Sequence, residues 1–286
     1  MTKPFRWNLK KREQLGSLIE GVELDSNELD LIDDLRATAS RVVAQADNAA
    51  LAFIGRTPEN FFDYLSGVFD GAERAPPLHL LQFSLRHAGP KGLESLGNAK
   101  LDGFFDYLRA EGLSPDSIAT SPCPVALVDF VAEGGTMENL IRLFRLCAER
   151  DGVDWNAVQR RLRIIGLRVK TKNSPNTRRW EQHQDWFDLI PDARISNVSM
   201  PREILLHLAN YQIKVTDGQR PEYWDRFTDK RDNPPSDIQR QALAFAVYLY
   251  SLGQSRQERR RFAKSLAALP QMRQAATRAL VVDLNG

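Results

Sequence analysis

The spacing in this chain that points most directly to chemistry lies within Val125 to Phe144, VALVDFVAEGGTMENLIRLF. A short apolar run ends in Asp129, and Glu133-Gly134-Gly135-Thr136 then turns into a helical pattern. Glycines let a backbone approach a phosphate closely, and the unpaired N–H groups at a helix start point toward it. Thr136 adds a hydroxyl donor or caps the helix. Asp129 stands where a carboxylate accepts hydrogen bonds from sugar hydroxyls. The plain alternative is a strand-to-helix turn, with Thr136 as N-cap and Glu138 or Asn139 in the first turn.

A second turn of this kind follows Ala52-Phe53-Ile54, where Gly55-Arg56-Thr57 leads into Pro58. Arg56 can meet a phosphate bidentately, and an anion suits a helix N-terminus. Its plain alternative is a surface arginine paired with Glu59 or Asp63. A third feature runs from Arg160 to Arg179, with eight Arg or Lys residues and no Asp or Glu, closed by Trp180. Lys170, Lys172, Arg178 and Arg179 form a candidate contact for a base or polyanion, with Trp180 placed to stack on a base. The alternative is a solvated strand and loop. His79, His87, His183 and His207 are scattered, and Cys123 and Cys147 form no metal-type pair. The chain has no Walker loop, no dinucleotide fingerprint and no nucleophile elbow.

These residues need elements to position them. Residues 8–22 and 26–47 read as helices. Ala49 to Ile54 is a continuous apolar run, suited to a strand covered on both faces. Pro58 opens a helix that ends near Gly71. Leu78 to Phe83, Pro124 to Val128 and Leu162 to Val169 read as further strands. Leu101 to Ala110 and Met137 to Glu149 read as helices, and residues 84–100 as an exposed loop. Strands alternating with helices indicate βαβ crossovers and a parallel sheet. Beyond residue 170 the periodicity weakens, until helices over 236–252 and 255–282. The expected fold class is therefore α/β, a parallel sheet with flanking helices, plus a mostly helical C-terminal region. The expected division is N-terminal helices over 1–48, an α/β core over 49–170, and the helical region over 171–286.

The segment 125–144 resembles the phosphoribosyl-diphosphate-binding motif of type I phosphoribosyltransferases: a strand, two adjacent acids, three variable residues, then a Thr-Gly-Gly-Thr-like turn into a helix. Asp129 matches the second acid, Phe130 to Ala132 the variable places, and Gly134, Gly135 and Thr136 the phosphate loop. Val128 stands in place of the first acid and Glu133 in place of a Thr or Ser. Gly55-Arg56-Thr57 corresponds to the diphosphate loop, and 84–100 to the flexible loop. The resemblance covers about residues 40–170. It implies a phosphoribosyltransferase-like core, with Asp129 and Glu133 as the candidate catalytic carboxylates and Gly134, Gly135, Thr136, Arg56 and Thr57 as phosphate ligands. It also implies Mg²⁺ bridging a diphosphate, and transfer or cleavage at the ribose anomeric carbon. With the acidic pair incomplete, a non-catalytic nucleotide- or RNA-binding module on the same fold stands beside the enzyme reading.

At 286 residues, 42% hydrophobic and 27% charged, the chain has the make-up of a globular protein with a proper core. A net charge of +2 gives no global field toward nucleic acid or membrane. No apolar run reaches the length of a bilayer span, and the N-terminal residues MTKPFRWNLKKREQ hold no secretory h-region. The expected location is cytoplasmic with both thiols reduced. Expected partners are a phosphorylated ribose or nucleotide, RNA on the alternative reading, no membrane, and a second copy of the chain in a homodimer.

Overall fold

A computed structural model describes residues 9–85, 89–171, 181, 184–216, 218–226 and 236–286. Five strands form one sheet: β1 (Ala50–Ile54), β2 (Leu78–Leu81), β3 (Val125–Phe130), β4 (Leu162–Val169) and β5 (Arg194–Met200). The order is β2-β1-β3-β4-β5 and every pair is parallel. All five residues of β1 are buried, which explains its unbroken apolar run.

Twelve α-helices accompany the sheet among the described residues. They are α1 (Ser26–Asp30), α2 (Ile32–Ala46), α3 (Glu59–Val68), α4 (Gly89–Glu94), α5 (Asn98–Ala110), α6 (Pro115–Thr120), α7 (Gly135–Asp151), α8 (Trp155–Arg161), α9 (Arg202–Leu206), α10 (Asp237–Gln254), α11 (Arg256–Ala267) and α12 (Ala275–Asn285). From β1 the chain moves one way to β2 and then crosses back over β1 to β3. Right-handed crossovers in opposite directions require helices on opposite faces. Accordingly, Leu51, Phe53, Ala126 and Val128 pack with α2, α3 and α9 to α12. Ala50, Ala52, Ile54, Val125 and Leu127 pack with α4 to α8. The α/β fold read from the sequence is the one observed.

The helices flanking the core in sequence share one layer. Glu258 of α11, 1% exposed, receives Arg36 of α2 through Nε at 2.5 Å and Nη2 at 3.1 Å. The Tyr64 hydroxyl of α3 donates to the same carboxylate at 2.8 Å. Burial and the neighbouring Glu258 raise the Tyr64 phenol well above its usual range. Helices α3 and α10 approach closely at two glycines. A Cβ on Gly67 would run into the Tyr250 carbonyl, and one on Gly253 into the Tyr64 carbonyl.

Four local expectations are corrected. Residues 9–21 form a 3₁₀ turn at Arg12–Gln14 and further turns rather than a helix, with Gly16 and Gly21 at φ +51° and +71°. Part of the expected 84–100 loop is helical, as α4 and the start of α5. The expected helix 255–282 divides into α11 and α12, because Pro270 cannot continue the first. Strand β5 lies in the stretch where no periodic run was legible.

Candidate functional site

Chains leaving β1 and β3 depart toward opposite faces, which opens a crevice at the carboxyl ends of these two strands. Ligands of doubly wound sheets bind at such switch points. A cavity of about 650 Å³ lies there. Its lining comes from Thr57 after β1, from Asp129 to Glu138 on β3 and α7, and from Leu167, Arg168, Val169 and Thr171 around the end of β4. Gln184, Leu205, Ala209 and Asn210 complete it.

The β3–α7 turn is built by glycine. Gly134 is the N-cap of α7 at φ +81°, a left-handed conformation that favours glycine, and no side chain caps the helix. Thr136 is therefore the second residue of α7 and not its cap. The first backbone bond across the turn runs from Glu138 N–H to Gly134 O at 2.9 Å. That leaves the N–H groups of Gly135, Thr136 and Met137 without an acceptor in the helix, at the positive end of a 17-residue dipole. Two contacts fix this end. Asn139 Nδ2 donates to Leu85 O at 3.0 Å, and Arg142 Nε donates to Glu138 Oε1 at 2.9 Å.

Asp129 is 7% exposed and lines the cavity, its Oδ1 accepting the Phe130 N–H at 2.7 Å. Its partner in register on β4 is Gly166, which adds no side chain beside the carboxylate. Val128, one residue earlier, points to the other face and is fully buried beside Phe53 and Ile165. Glu133 is exposed on the rim.

The structure thus gathers Thr57, Asp129, Glu133, Gly134, Gly135 and Thr136 around one cavity. Arg56 sits differently. Its Nη1 donates to the Thr216 carbonyl at 3.4 Å, in a strap of residues 212–216 and 218–224 that crosses the carboxyl ends of β1 and β2. The strap is held by the Val215 N–H on Glu59 Oε1 at 3.1 Å and the Ser84 N–H on Gln219 O at 2.9 Å. Buried Trp224, stacked on Phe104 at 4.5 Å between centroids, anchors its end. Lys214, in the strap, is half-buried overall with its amine nearly enclosed. Burial lowers that ammonium to about 8 against the attraction of Glu59, and Arg56 adds repulsion.

The basic run is spread over the molecule. Arg163, at the far end of β4, donates to Asn48 Oδ1 at 3.2 Å. Arg168 lines the switch-point cavity. Lys170 lines a second cavity of about 420 Å³ with Arg41, Asn197 and Ser199. Lys172, Arg178, Arg179 and Trp180, like His87 and His183, lie outside the described residues.

Sequence reasoning did not single out Gln184, Leu205, Ala209 and Asn210. The last two lie in a π-helical turn, His207–Tyr211, that continues α9. Among the described residues no group of three or more His, Cys, Asp or Glu forms a metal cage, and no helix is long and apolar enough to cross a membrane. No family model, curated protein or solved structure matches the chain. Fold and cleft define a doubly wound α/β protein with an open helix N-terminus at its switch point.

Proposed function

We propose that the cleft binds a phosphorylated ribose, as phosphoribosyl diphosphate or a nucleotide. One observation carries this reading: the N–H groups of Gly135, Thr136 and Met137, which have no acceptor within the helix, belong to residues that share a cavity with the Asp129 carboxylate. The amides hold the 5′-phosphate and Asp129 accepts from the ribose hydroxyls. The resemblance to phosphoribosyltransferases supports the same assignment.

In a transfer reaction the bond from the anomeric carbon to the diphosphate oxygen breaks. The diphosphate leaves with the electron pair, and an acceptor attacks the carbon. Such chemistry needs stabilised charge more than a strong base. Arg56 does not line the cavity; next in sequence to the lining residue Thr57, it would serve the diphosphate by leaving its long 3.4 Å bond to Thr216 O. Mg²⁺ fits the residues present, because it binds through one or two carboxylates plus substrate phosphates, and Asp129 and Glu133 supply these. When bound it would neutralise charge on the diphosphate.

The non-catalytic version of this reading has its own support. Val128, in place of the family's first acid, is committed to the core. RNA binding through the basic run 160–179 has less support from its described part, where Arg163, Arg168 and Lys170 serve three separate places.

Calorimetric titration with ribose 5-phosphate, and with phosphoribosyl diphosphate plus Mg²⁺, tests the proposal. Hydrogen bonds to a charged group are worth about 1.5–3 kcal/mol, so Asp129→Asn should weaken both by roughly 10- to 150-fold. Unchanged affinity in that variant, or no binding by the wild type, ends the proposal.

A further inference from the structure

The α7 amides and Asp129 account for a sugar phosphate, but not for the rest of a 650 Å³ cavity. That volume falls within the range of about 300–1,000 Å³ typical of whole small-molecule sites. Part of its wall is apolar, from Leu167, Val169, Leu205 and Ala209. Within it stand two carboxamides, Gln184 and Asn210, and neither makes a side-chain hydrogen bond among the described residues. A carboxamide carries an acceptor and two donors, and can pair bidentately with a base edge.

The backbone beneath Asn210 is unusual. Residues His207–Tyr211 form a π turn. Such turns make up well under 1% of residues and concentrate at functional sites. The widened turn places both Ala209 and Asn210 one turn beyond Leu205, so an apolar seat and a carboxamide serve the same wall.

We infer that Gln184 and Asn210 read a neutral, planar heterocycle seated against Leu205 and Ala209, so that the preferred ligand is a nucleoside monophosphate and not a bare sugar phosphate. This rests on the ribose-phosphate reading of the cleft. It assigns specificity to the stretch after residue 170, outside the family resemblance. A heterocycle bearing a carboxylate would be drawn to Arg168 instead, and it supplies the contrast.

The test is calorimetric titration of the full chain with ribose 5-phosphate, AMP, GMP, CMP, UMP and the carboxylated pyrimidine nucleotide orotidine 5′-phosphate. At least one of the four nucleotides with a neutral base should bind about tenfold or more tightly than ribose 5-phosphate, the gain of one good bidentate pair. Gln184→Ala and Asn210→Ala should each remove most of that gain and leave ribose 5-phosphate affinity within about twofold. Circular dichroism checks that both variants fold, as expected for side chains that make no side-chain hydrogen bond among the described residues. If ribose 5-phosphate binds and no neutral base adds affinity, or orotidine 5′-phosphate binds tightest, the carboxamide assignment fails while the sugar-phosphate reading stands. If nothing binds, both fall together.

Discussion

Gly134→Ala separates the cradle from the rest of the fold. At φ +81° and ψ 3°, an alanine here would sit in the left-handed region. That conformation costs an L-residue roughly 1–2 kcal/mol, partly offset by about 0.4–1 kcal/mol from the lower entropy of the unfolded chain. A net loss of about 1 kcal/mol is expected in urea unfolding. If the turn relaxes to escape the strain, the Gly135, Thr136 and Met137 amides swing from their positions.

The opposite end of α7 supplies the control. Gly152 is its C-cap at φ +68° and ψ 26°, and a Cβ there would meet nothing within 4 Å. Gly152→Ala should therefore cost a similar amount of stability while sparing the cavity. Titration with ribose 5-phosphate should show about a tenfold or greater loss for Gly134→Ala, a drop of about 1.4 kcal/mol or more, and little change for Gly152→Ala. Gly134→Asn, which tolerates the left-handed region, should recover much of the binding. Equal effects from the two alanines, or unchanged affinity in Gly134→Ala, would refute the claim that this turn holds the phosphate.

Arg36→Met should destabilise the fold by roughly 3–5 kcal/mol in urea unfolding, since it removes the main partner of the buried Glu258 carboxylate; a loss below about 1 kcal/mol would show that Tyr64 and Arg261 satisfy it. Lys214 carries a depressed ammonium, so between about pH 8 and its unfolded value near 10.4 the unfolded chain holds the extra proton, and stability should rise with pH across that window. Cys147 works against this: burial raises its thiol to about 12, so it favours the folded state below its unfolded value near 8.5, and that contribution fades above it. The difference between wild type and Lys214→Met isolates the lysine, and parallel stability curves from pH 7 to 10 would remove its enclosed-amine assignment.

Strands β1 and β3 were legible because burial on both faces demands continuous apolar runs, β4 because its apolar residues outweigh Arg163 and Arg168, and the Gly134-Gly135 turn because its backbone conformation selects glycine. Strand β5 was not. It is an edge strand whose Ser196, Asn197 and Ser199 break any apolar alternation. The described part of the basic run is continuous in sequence only, since strand period and the length of β4 send Arg163, Arg168 and Lys170 to different surroundings. Gln184 and Asn210 carry no spacing signal at all. Only the return of α9 to the end of β4 brings Asn210 to the cavity.

The same two-residue period decides how many acids the β3 tip can offer. Successive strand residues face opposite sides of the sheet. Asp129 reaches the cleft, while Val128 completes a row with Phe53 and Ile165 across three strands. An aspartate at 128 would enter that core among apolar side chains, where an unpaired charge is strongly disfavoured. The strand tip thus offers one carboxylate, beside the rim carboxylate of Glu133, three backbone donors and whatever charge the ligand brings. Any catalysis here would draw its stabilisation from fixed dipoles and from cations brought to the diphosphate, because the sheet has committed the neighbouring position to packing.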